Sequence, residues 1–126
     1  MIILNFSHPL TEQHVRRITE LVGRAPDDVR AIRSQFDVTI DLTPQIVALV
    51  DDLAIDAETW QQGAWLIVLP SLNYAAGVLL AELHGRMGHF PAIVRLRSVP
   101  NALVTEFEVA EIINLETVRQ AARTRR

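Results

Sequence analysis

The triplet Ser7-His8-Pro9 directly follows the apolar run Ile2-Ile3-Leu4-Asn5-Phe6. An imidazole at a strand end can donate to a phosphate, stack on a base or act as a general base. Ser7 and His8 can equally serve only to satisfy backbone groups at that strand end. Pro70-Ser71-Leu72-Asn73 offers a second such turn, where strand gives way to helix. Ser71 and Asn73 are explained as helix caps, and a phosphate replacing a cap would use the same geometry. Arg97 closes another apolar run and could form a basic wall there, or it could be an ion-paired surface residue like Arg95. Neither a G-x-G-x-x-G nor a G-x-x-x-x-G-K-[ST] phosphate loop is present.

His84-Gly85-Arg86-Met87-Gly88-His89-Phe90 resembles a metal motif at first sight. The glycines between its histidines end a helix there, and no H-E-x-x-H spacing or serial carboxylate accompanies them. A helix C-cap and turn, placed opposite the proposed pocket, is the expected role, and no metal or other cofactor is expected. All 12 basic residues are arginine, so no lysine can form a Schiff base or act as a base. Absence of cysteine removes thiol nucleophiles, disulfides and thiolate metal sites. A formal net charge of -3 gives no field for long nucleic acid, so an anion would need a local cluster of donors.

These residues need elements to position them. Ile2 to Phe6 reads as a buried first strand, and Thr11 caps the helix that follows. His14 stands where a capping-box Glu would sit, and Gly23 closes that helix. Val29 to Phe36 alternates as a partly exposed second strand, although Val29, Ile32 and Phe36 also fit a helix. Pro44 falls in the first turn of the next helix. Ala64 to Leu69 is apolar on both faces, as a central parallel strand must be. Asn73 is expected to cap a helix to about Met87, Ala92 to Arg97 a fourth strand, Val104 to Val109 a fifth, and Asn114 a last helix cap.

The expected fold is therefore α/β, in the order β-α-β-α-β-α-β-β-α, with a mostly parallel sheet and helices on both faces. Residues 1–126 form a single domain, with no repeat or linker. Ligands of such sheets bind outside the carboxyl strand ends, here Asn5 to Pro9, Gln35 to Asp37, Pro70 to Tyr74 and Arg97 to Asn101. The helix from Tyr74 to Leu83 is apolar over more than one stripe. In so short a chain its second cover could be another subunit, so a homodimer is expected. There is no basic, cleavable leader and no run long enough to cross a bilayer, which makes a cytoplasmic protein the expectation.

Two stretches carry a family resemblance: Leu4-Asn5-Phe6-Ser7-His8-Pro9-Leu10-Thr11, and Pro70 to Ala76 with Ala81 to Pro91. The chain resembles, over essentially its whole length, the small CRISPR-associated accessory proteins of type III systems. That Csx-named group is related to Rossmann-like (CARF-like) sensors of cyclic oligoadenylate. The resemblance implies a ring of linked adenylates as ligand, most often cyclic tetra-adenylate, held across a homodimer that could assemble further. It implies sequestration that damps antiviral signalling, with phosphate or adenine contacts at Asn5, Ser7, His8, Ser71, Asn73 and Arg97. It names no catalytic residue. Metal-independent ring cleavage assisted by His8, and a protein-interaction module without a small ligand, remain alternatives.

Overall fold

The computed structural model describes residues Met1–Arg126. Five strands, β1 (Ile2–Asn5), β2 (Asp28–Ala31), β3 (Trp65–Val68), β4 (Ala92–Ser98) and β5 (Phe107–Asn114), form one sheet in the order β2-β1-β3-β4-β5. The first four run parallel, and β5 returns antiparallel to β4. Five helices accompany them: α1 (Glu12–Val22), α2 (Leu42–Asp51), α3 (Ala57–Gln62), α4 (Asn73–Met87) and α5 (Leu115–Arg123). The fold is α/β and Rossmann-like, with helices on both faces.

Alternation along the strands divides the core in two. Leu4 and Ile67 point to the face covered by α2, α3 and α4, where Phe6, Ile46, Leu79 and Leu83 complete the larger apolar cluster. Ile3, Leu66, Val68, Val94 and Val109 point to the other face, where Ile18 of α1 seals them. Thr11 and His14 form the expected capping box at the start of α1, and Gly23 ends it in the left-handed conformation at φ 87°.

The helix α3 was not expected from the sequence and changes the element order. It is six residues long and buries Trp60 alone, so it leaves no helical period to detect. Asp56 caps it by accepting from Thr59 N at 2.8 Å. Trp60 then meets Trp65 with ring centroids 4.8 Å apart. Gly63 closes the element where any Cβ would come within 2.7 Å of the Trp65 ring nitrogen.

Other boundaries also moved. The second strand ends at Ala31, not Phe36, because its only partner, β1, ends at Asn5; Ile32 N donating to Asn5 O at 2.8 Å is the last rung. The fifth strand begins at Phe107 because the antiparallel register with Ser98 starts there, leaving Val104 in the loop. Asn73 is the first residue of α4 rather than its cap; Leu72 holds the cap position, and Asn73 Oδ1 accepts from Tyr74 N. Finally, α4 obtains its second cover within the chain, between α2 and α3, with Ala75, Leu79, Leu83 and Met87 buried. Its apolar character alone therefore no longer calls for a second subunit.

Candidate functional site at the carboxyl edge

The central strands β1 and β3 are parallel neighbours, with Asn5 opposite Val68. The chain leaves β1 toward α1 on one face and leaves β3 toward α4 on the other. Their connections diverge and open a crevice at the carboxyl edge, the usual place for a ligand in an open α/β sheet.

Asn5 shapes that crevice from below. It is 2% exposed. Its Nδ2 donates to His8 O at 2.8 Å, and its Oδ1 accepts from Ser7 N at 3.0 Å. Each end of the amide holds one backbone group of the loop, so Asn5 positions that loop from beneath. The loop it holds, Ser7-His8-Pro9, divides the crevice into adjoining cavities of about 330 and 410 Å³, and Ser71 lines both.

The smaller cavity lies toward β2. Arg33, Ser34 and Gln35 face Ser7, His8 and Ser71 across it, with Phe6, Ile32, Phe36 and Leu72 as its apolar parts. Arg33 Nη2 contacts Gln35 Oε1 at 3.3 Å and has no carboxylate partner. Gln45 of α2 pins the same loop, accepting from Asp37 N at 2.8 Å and donating to Asp37 O at 2.9 Å. The Asp37 carboxyl is held below its usual range by the hydroxyl and amide of Thr39. The cap residue of α4, Leu72, makes no side-chain bond, and Tyr74 N donates to Asn73 Oδ1; the first turn of the helix lies beside the cavity and not in its lining.

The larger cavity lies toward β4 and is apolar on its walls: Val68, Leu69, Val94, Leu96 and Phe107. Polar groups enter at its rim from Ser7, His8, His14, Ser71, Thr105 and Glu106. His14 Nδ1 accepts from Thr11 N at 3.1 Å while its Nε2 lies 2.7 Å from Phe107 O. His8 is exposed, borders both cavities, and its ring has no protein partner. Arrangements of this kind can hold an anion on one side and a flat apolar group on the other.

Of the expected contacts, Ser7, His8 and Ser71 are brought together. Asn73 lies outside both cavities on an exposed position. Arg97 is also outside them, because its Nε pairs with Glu108 Oε1 at 2.8 Å across β4 and β5. Arg95 likewise pairs with Glu111. Sequence reasoning missed Arg33, His14, Gln45 and Phe107 as shapers of the site. Ending the second strand at Ala31 would have placed Arg33 at the carboxyl edge. His14 and Phe107 depend on a contact between segments 93 residues apart, and Gln45 on one eight residues back to Asp37. No group of three or more His, Asp or Glu side chains is placed to hold a metal ion. No helix is long and apolar enough to cross a membrane.

A third cavity, about 600 Å³, lies at the opposite edge beside the His84–His89 turn. There His84 stacks on Phe90 with centroids 4.3 Å apart. Phe90 N donates to Glu116 Oε2 at 2.8 Å, which holds that carboxyl below its usual range. No family model, no curated protein and no solved structure matches the chain.

Proposed function

We propose that this protein binds cyclic oligoadenylate, in particular cyclic tetra-adenylate, at the carboxyl edge of its sheet and sequesters it across a homodimer. In this role it is a cytoplasmic protein that damps type III CRISPR antiviral signalling. The observation carrying this reading is the pair of adjoining cavities that meet at Ser7-His8-Pro9 and Ser71. One side offers Arg33 and the Ser7, Ser34 and Ser71 hydroxyls to a phosphate; the other offers Leu, Val and Phe side chains to a base. A ring of adenylates alternates those same groups. The chain's resemblance to the type III accessory proteins supplies the identity of the ring.

Each cavity is near the lower end of the ~300–1,000 Å³ usual for a small-ligand pocket, so a four-nucleotide ring has to be shared. A two-fold symmetric ring suits two copies of one chain. Six of the ten exposed large apolar residues, Val38, Ile40, Tyr74, Leu103, Val104 and Phe107, sit in loops or element starts at this same edge. That apolar rim supports a second copy closing over the ligand.

A second reading has its own observation. The His8 ring is unpartnered and borders both cavities, so it could assist a ribose 2′-hydroxyl attacking the adjacent phosphate. Incubating the protein with cyclic tetra-adenylate in the absence of metal separates these outcomes. Retention of intact ring, one per dimer, supports sequestration. Multiple-turnover conversion to linear product ending in a 2′,3′-cyclic phosphate makes it a ring nuclease. If no adenylate ring binds and a protein partner is captured instead, the apolar rim serves protein recognition.

A further inference from the structure

We infer that His14 is a positioning residue that ties the start of α1 to the wall of the larger cavity. The backbone N–H of Thr11 can only donate, so the Nδ1 atom it meets at 3.1 Å carries no hydrogen. The proton of the neutral ring therefore sits on Nε2 and is donated to Phe107 O at 2.7 Å. One imidazole thus joins elements 93 residues apart in sequence. At one end it caps the helix that continues from Ser7-His8-Pro9. At the other it holds the residue that walls the apolar cavity.

The mechanical part of this inference stands without any ligand; only its effect on affinity rests on the cyclic oligoadenylate reading. His14→Glu keeps the capping box, since Glu is the residue that box most often uses, but it offers Phe107 O no donor. His14→Gln keeps both an acceptor and a donor. Amide hydrogen exchange is measured for the full chain and both variants at pH 7.5, with affinity for cyclic tetra-adenylate alongside.

The Glu variant is expected to melt no lower than the parent while Phe107–Val109 exchange faster. Its affinity should fall on the order of threefold to tenfold, the size of one hydrogen bond. The Gln variant, which can still donate to Phe107 O, should match the parent in both exchange and affinity. Unchanged exchange at Phe107–Val109 in the Glu variant overturns the tie. Exchange at Phe107–Val109 as fast in the Gln variant as in the Glu variant also overturns it, because the donor would then not matter. Should no variant bind the ring while the exchange pattern holds, the tie stands and only the ligand assignment falls.

Discussion

The two edges of the sheet differ in what their polar groups are doing. The amino edge has the larger cavity, about 600 Å³, yet its polar lining is already spent. Arg24 pairs with Asp27, Asn114 caps α5 through Thr117 N, and His89 lies against Phe90 O. Glu116 accepts from both Phe90 N and Arg119. At the carboxyl edge the cavities are smaller, but the Ser7 and Ser71 hydroxyls and the His8 ring have no side-chain partner within the chain. Volume measures where the chain failed to fill space. Donors that the chain has not spent on itself, converging from separate loops that a buried amide holds in place, mark where a ligand can bind.

The sharpest break of that contrast is Asn5→Ala. It strips the partners of Ser7 N and His8 O in a nearly closed position, and should cost about 2–4 kcal/mol of stability. It should also abolish adenylate binding, as denaturant unfolding and a binding titration will register together. Phe90→Ala is its counterpart at the other edge. Losing a half-buried ring stacked on His84 should cost about 2 kcal/mol. Binding at the carboxyl edge should stay within error, and a drop in affinity would make the two edges one coupled unit. His8→Ala comes next: about tenfold weaker binding, equal to ~1.4 kcal/mol, with stability changed by less than about 0.5 kcal/mol because the ring is exposed.

These contrasts show what could be read beforehand. The parallel core was legible because Trp65-Leu66-Ile67-Val68 is buried on both faces and states its position in one line of sequence. The caps at Thr11 and Asn114, and the turn at Ser7, were legible for the same reason: each is settled within four residues. Arg97 was misplaced because its fate depends on a register with β5 that sets Glu108 beside it. Arg33 was hidden inside an alternation that continued past the last rung available from β1. Short α3 was invisible because its single anchor, Trp60, makes sense only against Trp65. Local chemistry was readable; whatever required a partner from another segment was not.

Acid provides a gentler probe of both edges at once. Asp37 at the carboxyl edge is held low by Thr39, while Glu116 and Asp56 toward the other are held low by the Phe90 and Thr59 amides. A carboxyl depressed in the folded state stabilises fully above its unfolded value, ~3.9 for Asp and ~4.3 for Glu. That contribution is lost as pH falls through the lower folded values. Unfolding free energy should therefore show no loss from these groups above about pH 5 and decline below about pH 4. The decline should be shallow, since Asp37 and Asp56 are solvent-exposed and screened, and Glu116, partly covered, contributes most of what is seen. In Asp37→Asn only the part belonging to the carboxyl edge should disappear. A loss of stability already complete at pH 5 would mean that other groups control the acid limb.

Arg97→Ala should do least of all, and it tests the contrast from outside the site. The side chain is exposed and its ion pair with Glu108 crosses the solvent side of β4 and β5. Exposed pairs contribute about 0–1 kcal/mol, and this one borders neither carboxyl-edge cavity. Stability should fall within that range, and affinity for cyclic tetra-adenylate should not change at 150 mM salt, where screening acts over ~8 Å. Arg33→Ala, measured beside it, should weaken binding severalfold with little change in stability. The pair isolates position from charge, since both variants remove one arginine from the same end of the sheet. Equal losses from both would mean that the edge attracts its ligand by general positive potential and that the cavities do not select it. A loss confined to Arg33 ties recognition to the crevice between β1, β2 and β3, where the unspent donors converge.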